Sequence, residues 1–267
     1  MGDAREKGYI MKQQAGGIGR AAIVATLAIA GFFSQSKGSF AASSGSVWTS
    51  TRAAEVNDPA NNMRAFTIQV PTGWKFTGMI ARPGGCHAPR VAAEGLAFTV
   101  LAPDGITSWE KLPGMSWAWA SDGTNPGNPK CGAVKISTAA EFLLNIVIPN
   151  LRPDAKNIRV IAVDPKVQQA MDAANQRFKS QGTAQSRQMV DSARVRLQYT
   201  LKGKPVEELI GTLVSCQEQD FPAYPAMHRA ALSRHLCGVT GIQIRRAPQG
   251  GLDAFIANEP PPPAIDP

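Results

Sequence analysis

The stretch Arg194–Cys216, RVRLQYTLKGKPVEELIGTLVSC, decides how the chain is read. Val195, Leu197, Tyr199 and Leu201 alternate with Arg194, Arg196, Gln198 and Thr200, and a period of two marks a strand with one face in a core and the other in solvent. Lys202-Gly203 then turns the chain into Val206–Cys216, which returns as the partner strand of an antiparallel hairpin.

Working upstream, Asn157–Val163 (NIRVIAV) reads as another strand. Asp164-Pro165 supplies an N-cap followed by proline at the first helical position, and Val167, Ala170, Met171, Ala174 and Phe178 form the apolar stripe of a helix that Gly182 ends. Thr138-Ala139-Ala140-Glu141 is a capping box, with Phe142, Leu143, Ile146 and Val147 at helical spacing and Pro149 expected to stop that helix. Still earlier, Phe66, Ile68 and Val70 alternate as a strand, Pro71-Thr72-Gly73 turns, Trp74 and Phe76 begin a second strand, and Gly95–Leu101 forms a third that ends at Pro103-Asp104-Gly105. Downstream, Pro225–Leu236 suggests a short helix, Ile242 and Ile244 a last strand, and Pro260–Pro263 a polyproline stretch. Strands precede, separate and follow the helices without a βαβ rhythm, so the expected class is α+β, an antiparallel sheet flanked by helices.

The N-terminus reads as an export signal. Arg5, Lys7, Lys12 and Arg20 precede the 13-residue apolar run Ala21–Phe33, which falls short of a bilayer span, and small residues follow at Ser39 and Ala41. The expected organisation is therefore a signal peptide at 1–41, with Met11 an equally good start, and a flexible segment at 42–62. A single α+β domain follows at 63–257, with room for two sub-domains meeting near 150–165, and then a Pro-rich tail at 258–267. No integral membrane span is expected after cleavage, and the location is periplasmic or secreted.

The 267 residues are 43% hydrophobic, enough for a sizeable core. They carry 28 basic and 20 acidic side chains, a net charge of +8. Removal of 1–41 leaves 23 and 18, or +5, and these charges look scattered, with Arg245-Arg246 the only basic doublet. That argues against nucleic acid as a partner.

All four cysteines, Cys86, Cys131, Cys216 and Cys237, lie in the exported part. An even count in an oxidising compartment predicts two disulfides, and of three connectivities Cys86 with Cys131 and Cys216 with Cys237 is favoured, because each pair staples one half of the chain. Without a CxxC pair, no metal is expected.

Val70-Pro71-Thr72-Gly73-Trp74, within FTIQVPTGWKF, and the later Ala102-Pro103-Asp104-Gly105 together resemble the opening of PsbP-like domains, where a strand runs into a V-P-x-G-W turn and a later strand ends near S-P-D-G. The resemblance reaches only the N-terminal third of the mature chain. It implies an antiparallel sheet flanked by helices, in a family of exported accessory or binding proteins rather than enzymes. Ala102 departs from the pattern's small polar residue, and the chain is longer than one such domain and carries four cysteines. No metal-binding or partner-binding residue carries over.

Candidate chemistry is sparse. Gly114-Met115-Ser116-Trp117-Ala118 lacks the last glycine of a nucleophile elbow and alternates like a strand. His228 and His235, seven residues apart, are too distant on a helix to share a metal, and His87 beside Cys86 cannot readily aim at it. Glu207 and Glu208, as strand neighbours, face opposite ways. Gly16-Gly17-Ile18-Gly19 belongs to the leader, and no cofactor loop is present.

The best functional clue is aromatic. Trp109, Trp117 and Trp119 are three of five tryptophans within eleven residues; exposed, they would stack on a ligand or partner, and buried, they would be core. The leading expectation is an exported non-enzymatic binding or accessory protein of the cell envelope, its ligand or envelope partner unidentified. A secreted hydrolase using Ser116, Asp104 or Glu110 is the alternative, and a structural envelope component tethered by its tail the third.

Overall fold

The alternation that begins at Arg194 does build a hairpin, and a longer one than the sequence marks. A computed structural model of the chain describes residues 50–58, 60–82, 89–91, 95–126, 132–183, 185–220 and 233–258. Across these residues the order is β1 (Thr51–Asp58), β2 (Met63–Pro71), β3 (Lys75–Ala81), β4 (Arg90–Val91), β5 (Gly95–Leu101), β6 (Ser108–Leu112) and β7 (Met115–Ala120). Next come α1 (Ala139–Phe142), a π-helical turn (Leu143–Val147) leading into α2 (Ile148–Leu151), β8 (Lys156–Ile161) and α3 (Pro165–Gln181). The chain continues through β9 (Ser186–Leu201), β10 (Lys204–Gln219), β11 (Arg234–Pro248) and α4 (Leu252–Ala257).

β9 and β10 are 16 residues each and pair in register from Ser186–Gln219 to Leu201–Lys204. The turn between them uses Lys202 at φ 51° and Gly203 at φ 78°, two successive left-handed residues as a type I′ turn requires. β11 pairs with the far side of β10, and its own far side takes β7 along its N-terminal half and β6 along its C-terminal half. The result is a nine-stranded antiparallel sheet in the order β3-β5-β6-β11-β10-β9-β8, with β7 also beside β11 and β4 beside β7.

Among the described residues strand outweighs helix by 54% to 20%, in two sheets, so the fold is β-rich and the α+β class expected above is wrong. The misreading has a local cause. Thr51–Asp58, inside the segment read as flexible, forms β1 and pairs with β2 as a separate hairpin. That hairpin lays Ala54, Val56, Ile68 and Val70 over Leu96, Phe98, Val100 and Trp109, a place where the sequence pattern suggested helix cover. The two layers come close enough that a Cβ at Gly78 would meet Val56 Cγ2 at 2.6 Å, so a side chain here would force the hairpin's Val56 to shift. Likewise Arg234–Leu236, read as the end of a helix, is the start of β11.

The opposite face of the large sheet is covered by α1, the π turn and α2, whose Phe142, Leu143, Val147 and Ile148 pack on Val195, Leu197, Ile210, Ile242 and Ile244. The capping box holds, with the Glu141 amide donating to Thr138 Oγ1 at 3.3 Å and the Thr138 hydroxyl to Glu141 Oε2 at 3.0 Å. Pro149 does not stop the helix. The Ile148 amide donates back to the Leu143 carbonyl, a five-residue step that widens the turn before proline, and the chain stays helical to Leu151. Cys216 and Cys237 lie opposite each other on β10 and β11 and are disulfide-bonded. Cys86 and Cys131, His87, His228, the segment 1–41 read as a signal peptide and the Pro-rich residues from 259 lie outside the described residues. Among the described residues no helix is long and apolar enough to cross a membrane.

Candidate functional site

The three tryptophans do not share a surface. Trp109 is buried under the β1–β2 hairpin, edge-on to Phe98 with ring centres 4.9 Å apart. Trp117, on the other face, is buried against Phe142 in parallel stacking at 4.6 Å and donates its indole N–H to the Ile136 carbonyl at 2.8 Å. Trp119 shares that face, as its two-residue spacing requires, but is half-buried and stacks on His235 at 4.4 Å. Ser116 sits within β7, laddered between β4 and Gly238 of β11, with no strained turn to project its hydroxyl. The Asp104 carboxylate closes the β5–β6 turn, accepting from the Ile106 and Thr107 amides at 2.8 Å and holding its acid below the usual carboxylate range.

The third hydrolase candidate, Glu110, belongs to a charge network that sequence reasoning did not anticipate. On the helix-covered face, Ser108, Arg246, Glu208 and Leu197 form one row across β6, β11, β10 and β9. Glu208 is fully buried, and its Oε2 accepts from Arg152 Nε at 3.1 Å, Arg152 Nη2 at 2.9 Å and the Tyr199 hydroxyl at 2.8 Å. Arg246 donates to the Ile106 carbonyl at 2.8 Å and pairs with Glu110 at 3.3 Å. Burial pushes the Glu208 carboxyl above its ordinary value despite Arg152, and raises the Tyr199 hydroxyl as well. Two guanidiniums meet two carboxylates beneath the end of α2. This is a balanced anchor between helix and sheet, and every charge in it is already answered by another.

The opposite face carries the β1–β2 hairpin over Trp109 and α4 over Leu209, and its charges have a different balance. Register places Arg159, Arg196, Leu209, Arg245 and Trp109 in one row across β8, β9, β10, β11 and β6, and Ile161, Arg194, Gly211, Gln243 and Lys111 in the next. With strands about 4.8 Å apart, each row is about 19 Å long. Five cations from four strands thus gather on one face, which corrects the expectation of scattered charge. Glu207 and Asp253 answer Arg196, at 2.6 and 2.8 Å. Arg159, Arg194 and Lys111 make no hydrogen bond or ion pair among the described residues. Burial lowers the Lys111 ammonium, and burial together with the nearby Arg245 charge lowers the Arg194 guanidinium.

At the β8 end of these rows a pocket of about 370 Å³ is lined by Asn157, Ile158, Arg159, Arg196 and Gln198. Asn157, at φ 51°, makes the bulge between Lys156 and Arg159 that opens it. Its amide donates to Gln198 Oε1 at 2.7 Å, Gln198 donates to Glu207 Oε1 at 2.8 Å, and Arg196 donates to Glu207 Oε2 at 2.6 Å. Burial would raise Glu207, but Arg196 and Gln198 hold its carboxyl below the usual range. The chain Asn157-Gln198-Glu207-Arg196 therefore fixes the pocket wall, and Arg159, directly opposite Arg196 in the ladder, is left as its uncommitted cation.

No protein-family model, curated protein or solved structure matches the chain. The strings that resemble PsbP-like domains fall at two turns, Val70–Trp74 between β2 and β3 and Ala102–Gly105 between β5 and β6.

Proposed function

We propose that this chain is an exported, non-enzymatic binding protein that takes an anionic group of its ligand, carboxylate, phosphate or sulfate, at the Arg159–Arg196 end of its basic sheet face. The carrying observation is that two guanidiniums stand in register on adjacent strands and line one pocket. Glu207 and Asp253 already hold Arg196, so Arg159 is the cation left for an anion, with the fixed Arg196 beside it. Asn157 and Gln198 add amide groups beside the cations, polar partners of the kind that fix a ligand's orientation in a small-ligand or side-chain pocket. Export is supported by the Cys216–Cys237 disulfide, a bond that persists in oxidising compartments.

Isothermal titration with tripolyphosphate at low salt tests the reading. Binding should be weakened by Arg159→Ser/Arg194→Ser and left near the parent value by Arg187→Ser/Arg234→Ser, which removes the same charge from exposed positions at the other end of β9 and β11. Equal weakening by both pairs would show that only net charge matters and would sink the proposal.

A further inference from the structure

The pocket opens onto the edge of the sheet. β8 is the last strand in the order, pairs only with β9 among the described residues, and exposes Lys156 through Val160 without interruption. Its outer row of backbone N–H and C=O groups is therefore unpaired by any described strand. Such edges are commonly guarded by charge, and Lys156 and Arg159 do that here, but guarding does not account for Ile158 and Val160, which are 43% and 52% exposed on the intervening positions.

We propose that β8 docks an extended acidic segment of another protein, which adds to the sheet as a further strand and sets a carboxylate beside Arg159. The inference rests on the anion-binding reading and names its ligand. Strand addition draws affinity from main-chain hydrogen bonds and specificity from pockets for alternate side chains. A residue of the added strand opposite Arg159 would face the same side as that guanidinium, with about 5 Å between Cβ atoms, close enough for an ion pair over the pocket. Its two neighbours would face the other way, toward Ile158 and Val160. The segment selected is therefore an acidic residue between two apolar ones. β8 itself contains no carboxylate, and Asp154 and Asp164 lie beyond its ends, with Asp164 engaged in capping α3. A second copy is the poorer occupant, because two antiparallel β8 strands would bring their own Lys156 and Arg159 cations together.

The test is fluorescence polarisation of the full chain with a fluorescein-labelled extended peptide carrying one glutamate between two valines. Binding is expected, with at least about a tenfold loss when the peptide amides facing β8 are N-methylated, since each removes a main-chain hydrogen bond. Arg159→Glu should lose the glutamate peptide and gain the corresponding lysine peptide; the position is exposed, and a circular dichroism melt confirms folding. Undiminished binding of the N-methylated peptide overturns strand addition. So does failure of the peptide to bind a chain that still binds tripolyphosphate, and in that case the anion pocket survives alone. A dimer in sedimentation that Arg159→Glu abolishes would assign the edge to a second copy and overturn the proposal as well.

Discussion

Replacing Arg152 with methionine should cost about 3–5 kcal/mol at neutral pH, the penalty for breaking a buried pair from one side. The structure sets the size. Glu208 has no solvent-accessible surface and loses two of the three hydrogen bonds to Oε2, those from Arg152 Nε at 3.1 Å and Nη2 at 2.9 Å. What remains is the Tyr199 hydroxyl at 2.8 Å and the Arg246 guanidinium at 4.0 Å, which is already shared with Glu110 and the Ile106 carbonyl. Methionine keeps most of the apolar stem, so the loss reports charge rather than a cavity. A domain holds about 5–15 kcal/mol in total, so the variant should be marginal. The sign with pH is fixed by Glu208. Its carboxyl is already raised by burial and rises further without Arg152, so the penalty is full where Glu208 is ionised and shrinks as pH falls through its folded value. Urea unfolding followed by far-UV circular dichroism at about pH 7.5 and about pH 5 measures this, and adding Glu208→Gln should recover part of the loss. A cost below about 1 kcal/mol, or one equal at both pH values, refutes the network as an ionised anchor.

Other outcomes follow from the same geometry. Cys216→Ser/Cys237→Ser, which opens a crosslink across 21 residues, should cost about 3 kcal/mol; a melt unchanged by reductant or by the substitution would contradict it. Trp117→Ala, buried against Phe142, should cost about 3–5 kcal/mol in denaturant unfolding, and Trp119→Ala, half-buried, distinctly less; equal costs would mean the two environments are misread. Glu207 is held below the usual carboxylate range by Arg196 and Gln198, so it stabilises the fold above that range and loses its contribution as pH falls through its folded value; Glu207→Gln should flatten the acid limb of a stability–pH profile. Arg159→Thr should leave stability within about 0.5 kcal/mol of the parent, because the side chain is exposed, while reducing tripolyphosphate binding; a destabilised variant would show that Arg159 serves the fold.

The parts of the fold visible in the sequence were those with strict periodicity. Val195 to Leu201 alternates because β9 has a core on one side and a basic face on the other, and the caps at Thr138 and Asp164 are written in single side chains. Val206–Ile210 does not alternate, being buried at five successive positions, and only its place after a turn identified it. β1 was invisible for a different reason. Thr51–Asp58 buries just Ala54 and Val56, too little apolar surface to declare a strand until β2 and the sheet beneath are known. Pro149 misled because proline's missing N–H was weighed against an α-helix, whereas a π turn places the preceding bond five residues back.

The basic face was not legible for a reason that local reading cannot overcome. Lys111, Arg159, Arg194, Arg196 and Arg245 are spread over some 130 residues, and only Arg194 and Arg196 announce a common face. Arg159 joins them because a bulge at Asn157 sets the parity of β8 against β9: were the same residues to pair from Lys156–Gln198 without a bulge, Ile158 would fall opposite Arg196 and Arg159 would turn to the helix side. The same holds at β11, where the pairing shifts between the partners of Thr212 and Val214; without that irregularity the faces of Arg245 and Arg246 would differ relative to the N-terminal half of their own strand. Arg246 therefore serves the buried anchor and Arg245 the opposite face. Adjacent in sequence, the one basic doublet divides between the two faces of the sheet because neighbours on a strand point opposite ways.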